Sequence, residues 1–229
     1  MSNYLLANWK SHKTLREAEA WLEKFRDLRG NSGPRVIVAP PMPFLAPMRQ
    51  IIARLKIPNL ALAAQDLSPF PQGSYTGAVA APMISEFADY AIVGHSERRR
   101  YFHETHQEIA NKVSEAVAAG LKPILCVDLP YARQQLAAIN EDDFAELIIG
   151  YGPVAAAGMD FPQALDEAGE AIAEIGTMAP DQPIFYGGSV NRENAAAYMN
   201  LAGVSGLMVG SASLDPEGFA AIGAGLVGA

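Results

Sequence analysis

The sequence predicts an α/β fold in which eight parallel strands close into a (β/α)8 barrel. Short apolar runs alternate with longer amphipathic segments along the chain, which is typical of repeated βα units around a parallel sheet. The 229 residues are 50% hydrophobic, so the chain can bury one large core. No Ser-rich or charge-rich linker divides it. We therefore expect a single domain that spans residues 1–229.

Eight short apolar runs are the candidate strands, because runs of this length between turn-forming residues are typical of buried parallel strands. In chain order they are Tyr4 to Ala7, Arg35 to Ala39, Leu60 to Ala64, Tyr90 to Gly94, Pro123 to Val127, Leu147 to Tyr151, Ile184 to Gly187 and Gly206 to Val209.

The segments between these runs have the periodicity of helices. In Leu15 to Leu28, one apolar face should pack on the sheet, and it comprises Leu15, Ala18, Trp21, Leu22 and Phe25. Further helices are predicted at Phe44 to Leu55, Met83 to Phe87, Gln107 to Ala119, Tyr131 to Ile139, Asp166 to Ile175, Arg192 to Tyr198 and Asp215 to Gly223. An open doubly wound sheet is the alternative, since periodicity does not show closure. The absence of a GxGxxG fingerprint after the first strand argues against it.

Composition excludes some classes of partner. The formal net charge of -8 disfavours general attraction to nucleic acid or to an anionic membrane. Cys126 is the only cysteine, so an internal disulfide is excluded and a reducing compartment is expected. The first residues have too short an apolar stretch for a signal peptide, and no run approaches a membrane span. We expect a cytoplasmic location.

Residues that follow the strands are the candidate functional residues, because barrel chemistry occurs at the carboxyl ends of the strands. Asn8 and Lys10 follow the first strand, where the lysine can supply a positive charge to an anionic ligand and the asparagine can orient it. After the fourth strand, His95 precedes Ser96, a predicted helix cap, and Glu97, which suits a first helical turn. A solvated lysine and a structural histidine with an ion-paired glutamate are the alternative. The remaining histidines, His12, His103 and His106, have no matching partners.

Four motifs together closely resemble the triosephosphate isomerase family. They are NWK at Asn8 to Lys10, AIVGHSERRRYF at Ala91 to Phe102, YGGSV at Tyr186 to Val190 and VGSASL at Val209 to Leu214. The resemblance covers nearly the whole chain and is weakest from Pro130 to Leu147. It implies a TIM barrel that interconverts dihydroxyacetone phosphate and glyceraldehyde 3-phosphate, in glycolysis and gluconeogenesis, without a metal or organic cofactor.

The resemblance also implies roles for the candidate residues. His95 matches the histidine that, in the well-studied members of this family, is neutral and polarises the substrate carbonyl, and Glu97 matches the partner that organises Lys10. The substrate phosphate is expected at small residues whose backbone N–H groups can approach an oxyanion closely. These residues are Gly158, Gly188, Ser189, Gly210 and Ser211, the last of which replaces the usual second glycine.

One residue departs from the family where its general base is expected. The family has a segment of the form Y-E-P-V, whereas this chain has Gly152 between Tyr151 and Pro153. Glycine cannot transfer a proton, and a general base typically contributes about 10²- to 10⁴-fold in rate. The sequence therefore predicts impaired catalysis.

Further departures lie nearby. Ala155 replaces a tryptophan of the family's lid, and Asp128 with Leu129 replaces the family's Gly-Glu pair after the fifth strand. These replacements predict altered lid closure. Tyr186 and Ser189, which match the residues that contact the closed lid, remain. Asp128, and less well Asp160, would be a poor substitute base. The more probable interpretation is that Asp128 caps the turn before Pro130.

The loop from Gln65 to Gly77 predicts a homodimer, because in the family this loop inserts into a neighbouring subunit and a threonine matching Thr76 supports the lysine and the histidine. A surface loop without a partner is the alternative. Two other functions stay open: a non-catalytic binder of small phosphorylated metabolites, and a barrel that catalyses another phosphate-dependent reaction.

Overall fold

The strands form a closed barrel. The computed structural model describes residues 3–29, 33–153 and 162–226. In it eight parallel strands pair in chain order, and the last pairs with the first, so the predicted (β/α)8 TIM barrel is confirmed and the open sheet is wrong. The strands are β1 Tyr4–Asn8, β2 Arg35–Ala39, β3 Leu60–Ala64, β4 Tyr90–Val93, β5 Lys122–Val127, β6 Ile148–Tyr151, β7 Ile184–Tyr186 and β8 Val204–Val209.

Helices connect the strands. They are α1 Leu15–Leu28, α2 Leu45–Leu55, α3 Ala81–Ser85, α4 Ser96–Tyr101, α5 His106–Ala118, α6 Ala132–Ala137, α7 Glu141–Phe144, α8 Leu165–Met178, α9 Ala195–Met199 and α10 Pro216–Gly225. Reciprocal capping boxes begin two of them: Thr14 with Glu17 at α1, and Thr105 with Glu108 at α5. Such boxes satisfy two backbone donors at each helix start.

Most predicted elements are present, with their ends displaced by up to three residues. The largest difference lies between β5 and β6. There the helix predicted at Tyr131 to Ile139 covers only α6, and a second short helix, α7, was not predicted. Asn140 has an extended backbone before α7, so the chain leaves one helix and begins another. Short 3-10 turns at Met42–Phe44 and Ser211–Ser213 were also not predicted.

The barrel interior is filled by alternate strand residues. Leu6, Ile37, Ile92, Ile124 and Phe185 belong to one buried cluster of strand side chains, whereas the intervening strand residues pack with the buried faces of the helices. This alternation follows from the two-residue period of a strand. It also determines which residues just beyond a strand face the mouth of the barrel.

A buried ion cluster joins α4 and α5 to the segment after β3. The Lys112 ammonium lies 2.5 Å from Asp66 Oδ1 and 2.6 Å from Glu104 Oε1, and Arg98 contacts the same two carboxylates. The Lys112 side chain is only 4% exposed. Because buried charges are costly unless paired, this cluster specifies how the segment beginning at Gln65 meets α4.

Across the three described ranges, none of the helices combines the length and the apolar character that a membrane crossing would require.

Candidate active site

A cavity of about 390 Å³ lies at the carboxyl ends of the strands, where barrel enzymes carry their chemistry. Its wall combines charged groups from β1 and α4 with small residues that follow β6, β7 and β8. The lining includes Asn8, Lys10, Gly94, His95, Ser96, Glu97, Arg99, Asp128, Gly152, Ser189, Asn191, Gly210 and Ser211. Residues predicted from strands far apart in sequence therefore meet around one space.

Lys10 has a strained backbone that its surroundings hold in place. Its φ of 50° lies in the left-handed region, which is unfavourable for a residue with a side chain and is common at functional sites. The Lys10 N–H donates to Asn8 Oδ1 at 3.0 Å. Gln65 Nε2 donates to the carbonyls of Lys10 and Ala39, both at 2.8 Å. Asn8 and Gln65 thus fix the backbone from which the ammonium extends.

His95, rather than the expected Ser96, is the cap of α4. Its Nδ1 accepts a hydrogen bond from the Glu97 N–H at 3.2 Å, so in the neutral imidazole the proton resides on Nε2. Burial lowers the pKa of His95 below its ordinary value; the Glu97 carboxylate opposes this shift and Lys10 adds to it. The arrangement therefore presents a neutral imidazole whose Nε2–H is a hydrogen-bond donor.

Glu97 connects Lys10 and His95. Its Oε1 lies 2.7 Å from the Lys10 ammonium, and its Oε2 lies 3.6 Å from His95 Nδ1. The side chains of Lys10 and Glu97 are 33% and 40% exposed, and ion pairs this exposed contribute little to stability. The main effect of the ion pair is therefore to fix the position of the Lys10 ammonium.

The residues expected to bind phosphate are only partly together. Ser189, Gly210 and Ser211 line the cavity, and a Cβ built on Gly210 would lie 3.9 Å from the Lys10 ammonium. Gly188 is buried behind the rim instead, where a Cβ would meet the Tyr186 hydroxyl at 2.5 Å. Gly158 lies outside the described residues, as do Ala155 and Asp160.

Ser189 also has a left-handed backbone, with φ at 48°. The loop around it is held by asparagines, because Asn194 Nδ2 donates to the Ser189 carbonyl and Asn194 Oδ1 accepts from the Asn191 N–H. Tyr186, expected at the closed-lid contact, is fully buried and stacks on Tyr198 at 4.3 Å between ring centroids. Burial raises the pKa of its hydroxyl.

Gly152 lines the cavity without a side chain. Among the described residues, a Cβ built on it would meet only the Gly187 carbonyl oxygen, at 3.3 Å, whereas at Gly150 and Gly187 it would meet the Met208 side chain at 3.0 and 2.7 Å. The backbone of Gly152 is not among those with positive φ. A side chain at position 152 would thus project into the cavity without displacing the barrel.

Asp128 lines the same cavity, and its side chain does not cap the turn as we had expected. The Tyr131 N–H donates to the Asp128 backbone carbonyl at 3.0 Å. The carboxylate instead accepts from Gln135 Nε2 at 2.6 Å, while Gln135 Oε1 accepts from the Asp128 N–H at 3.1 Å. Gln135 is buried, with 3% of its surface exposed.

Several site residues were not predicted from the sequence. Gln65 and Gln135 position Lys10 and Asp128, and Arg99 donates to the carbonyls of Gly94 and Cys126, which joins the ends of β4 and β5. Gln65 and Arg99 carry a sequence signal, because Gln65 directly follows β3 and Arg99 lies in the motif from Ala91 to Phe102. The three histidines set aside earlier are exposed and do not line the cavity. Within the described ranges, no group of three or more His, Cys, Asp or Glu side chains is arranged to hold a metal ion.

Comparisons with known proteins agree with this geometry. The sequence model of the family described as triosephosphate isomerase matches residues 3–225. The chain belongs to the triosephosphate isomerase family. Among its relatives named triosephosphate isomerase, that of Symbiobacterium thermophilum is 36% identical over 94% of this chain and 93% of its own length. That of Ralstonia nicotianae is 35% identical over 96% of this chain and 96% of its own length. That of Thermus thermophilus is 35% identical over 94% of this chain and 95% of its own length.

Proposed function

We propose that this member of the triosephosphate isomerase family binds dihydroxyacetone phosphate and glyceraldehyde 3-phosphate and interconverts them through an enediol. We further propose that its turnover is impaired because position 152 carries no carboxylate. The observation that carries the proposal is the convergence of Lys10, His95 and the small residues Ser189, Gly210 and Ser211 on one cavity.

The substrate phosphate would bind at the ends of β7 and β8. Gly158, Gly188, Ser189, Gly210 and Ser211 are the proposed contacts, because small residues let backbone N–H groups approach a phosphate oxygen. The 3-10 turn at Ser211–Ser213 begins directly after Gly210, and the first N–H groups of a helical turn have no partner within it. Lys10, adjacent to Gly210, supplies the positive charge.

The carbonyl of the substrate would lie against His95. A neutral imidazole that donates from Nε2 stabilises negative charge on the carbonyl oxygen as the enediolate forms. Lys10 stabilises the same charge, with Glu97 and Asn8 holding it in position. These groups require no metal or organic cofactor, because the donors and the positive charge belong to the chain.

Gly152 supports the second half of the proposal. Glycine carries no group that could transfer a proton, and among the described residues a Cβ at position 152 would contact only the Gly187 carbonyl oxygen. A non-catalytic binder of small phosphorylated metabolites is the second candidate function, and the same observation favours it. The two differ only in whether a bound triose phosphate exchanges its carbon-bound proton.

We also propose that the chain, as one domain spanning residues 1–229, forms a homodimer through the loop from Gln65 to Gly77. Thr76 is exposed in this loop, and the rings of Phe70 and Tyr75 stack at 4.6 Å while remaining 43% and 44% exposed. Exposed aromatic side chains of this kind are common anchors at interfaces. Sedimentation equilibrium tests this: a species of 24.4 kDa alone would contradict the dimer.

The binding half of the proposal is tested by titrating the purified protein with phosphoglycolate, a planar mimic of the enediolate, in a calorimeter. We expect saturable binding, and we expect Lys10→Met to weaken it at least about tenfold because a direct charge contact is lost. Lys122→Met is the matched control, since Lys122 is exposed at the opposite end of the barrel. No binding by the unmodified protein, or equal losses in the two variants, would contradict the proposed function.

The catalytic half is tested with an assay in which a dehydrogenase consumes the isomerised product. We expect slow turnover that His95→Gln abolishes and that the exposed-residue control His103→Gln leaves unchanged. Binding of phosphoglycolate without any turnover would support the non-catalytic binder instead.

A further inference from the structure

We propose that Asp128, at the end of β5, is the general base of this chain, so that the carboxylate has moved by one strand rather than been lost. The inference deepens the proposed function, on which it rests. It concerns a residue that occupies a glycine position of the family pattern and that lies beside Gly152.

The strand register places the two positions side by side. Val127 of β5 pairs with Tyr151 of β6, and the Gly152 N–H donates to the Val127 carbonyl at 3.2 Å. Asp128 and Gly152 are the next residues on these strands, and parallel strands lie about 4.8 Å apart. Both line the cavity that contains Lys10 and His95. A carboxylate on Asp128 therefore enters the same part of the cavity from the neighbouring strand.

Gln135 holds this carboxylate in one orientation. Its amide group makes two hydrogen bonds to Asp128, one to the carboxylate Oδ1 at 2.6 Å and one from the backbone N–H at 3.1 Å. A buried amide that makes two such bonds restricts the rotation of the aspartate. Within the described ranges, no hydrogen bond to Asp128 Oδ2 is present, so this oxygen can accept a proton.

The Asp128 side chain has no part in closing the turn that follows β5, and its carboxylate accepts instead from Gln135 of α6. The turn that follows β5 is closed by the backbone, since the Tyr131 N–H donates to the Asp128 carbonyl. The carboxylate is not needed for that turn.

The proposed step is a proton transfer between two carbons of the substrate. Asp128 Oδ2 takes a proton from C1 of dihydroxyacetone phosphate, and the electrons of the broken C–H bond form the C1–C2 double bond. The electrons of the C2 carbonyl move to its oxygen, where His95 Nε2–H and Lys10 stabilise the charge. Asp128 then returns the proton to C2, while the hydroxyl proton passes from the oxygen on C1 to the oxygen on C2. No oxidant, reductant or further reactant is consumed.

The first test replaces the carboxylate while keeping its shape. Asp128→Asn can still accept the hydrogen bond from Gln135, so the loop after β5 should be maintained. We expect turnover to fall about 10²- to 10⁴-fold. The rate of deuterium incorporation into dihydroxyacetone phosphate, measured by proton NMR, should fall by the same factor. Phosphoglycolate affinity should stay within about threefold, because the phosphate contacts and Lys10 are unchanged. Asp128→Ser, a smaller variant, should show the same loss.

Two further variants distinguish a catalytic carboxylate from a structural one. Gln135→Met should lower kcat more than it raises KM, because it releases the aspartate without touching the substrate. The double variant that combines Asp128→Gly with Gly152→Glu moves the carboxylate from the end of β5 to the end of β6. Its turnover should be well above that of Asp128→Asn, because a carboxylate again enters the cavity. A double variant no more active than Asp128→Asn, although Gly152→Glu alone raises turnover, would show that the loss did not concern the carboxylate, and would overturn the assignment.

The remaining outcomes separate this proposal from the proposed function. Unchanged turnover in either Asp128→Asn or Asp128→Ser overturns the role of Asp128 while leaving the isomerase intact. An unmodified protein that binds phosphoglycolate but shows neither turnover nor deuterium exchange also overturns it, and leaves the non-catalytic binder. An unmodified protein that fails to bind phosphoglycolate contradicts the proposed function itself.

Discussion

Gly152→Glu should be tolerated by the fold and should increase isomerase turnover. The expectation depends on the direction in which a side chain at this position would project. In the part of the chain that the structure describes, a Cβ there meets one atom, the Gly187 carbonyl oxygen, at 3.3 Å, so a shift of a few tenths of an ångström accommodates it. The rest of the side chain enters a cavity of about 390 Å³.

The magnitude follows from two opposed effects. Replacing a glycine whose backbone suits other residues stabilises a protein by about 0.4–1 kcal/mol through the unfolded state, which offsets the single close contact. We therefore expect the free energy of unfolding of Gly152→Gln to change by less than about 1 kcal/mol, or about 2–4 °C in Tm for a chain of this size. Gly152→Glu should be less stable than Gly152→Gln by about 1 kcal/mol, because its charge lies near that of Asp128.

Gly187→Ala is the matched steric control. Its Cβ would lie 2.7 Å from Met208 Cε and 3.0 Å from Met208 Cβ, and overpacking of this kind typically costs about 1–3 kcal/mol. Thermal unfolding should therefore show Tm lowered by about 2–12 °C for Gly187→Ala and nearly unchanged for Gly152→Gln. Similar losses in both variants would mean that the end of β6 does not face the cavity as described.

The coupled isomerase assay then measures the chemistry. Both variants keep Asp128, so their difference is smaller than the full contribution of a general base, about 10²- to 10⁴-fold. Because the longer glutamate side chain adds a second carboxylate to the cavity, Gly152→Glu should exceed Gly152→Gln in kcat by at least about tenfold, with similar phosphoglycolate affinity. Equal turnover in these two folded variants would refute the reasoning that position 152 adjoins the reacting carbons.

Three further predictions concern groups away from position 152. Lys112→Met should lower the free energy of unfolding by about 3–5 kcal/mol, because it leaves buried carboxylates without their cation. A urea titration measures this loss. A loss as small as that of Arg54→Met, a control that breaks an exposed ion pair, would refute the prediction. Because burial lowers the pKa of His95, NMR should find a neutral imidazole at pH 7. The unfolded state then binds the proton more readily, so the free energy of unfolding should fall as pH drops below about 6.5. The fall should be smaller in His95→Gln. A charged imidazole at pH 7 would contradict this prediction. Burial raises the pKa of the Cys126 thiol to about 12, so a disulfide reagent at pH 8 should modify it only after unfolding; rapid modification of the folded protein would show otherwise.

Much of the fold could be predicted because its signals are local. The helix from Leu15 to Leu28 agrees with α1 at both ends, since its apolar spacing and the Thr14 capping box lie within the segment. The stretch from Tyr131 to Phe144 was predicted less well. There two short helices follow each other, and the break between them depends on packing against the rest of the chain rather than on periodicity.

The site shows the same division. Lys10 and His95 could be assigned to one rim because each follows a strand, and the carboxyl ends of parallel strands meet at one end of a barrel. The capping role of His95, the burial of Gly188 and the contact of Gln135 with Asp128 could not be predicted. Each depends on side-chain directions and on distances of a few ångströms between segments that the sequence keeps apart.

The sequence by itself determined the alternation of strands and helices, the family resemblance and the glycine at position 152, because these are properties of neighbouring residues and of short motifs. Only the tertiary structure decided that the sheet closes and that Asp128 and Gly152 lie side by side. Closure and register are set by hydrogen bonds between strands, and these link residues that no local pattern connects.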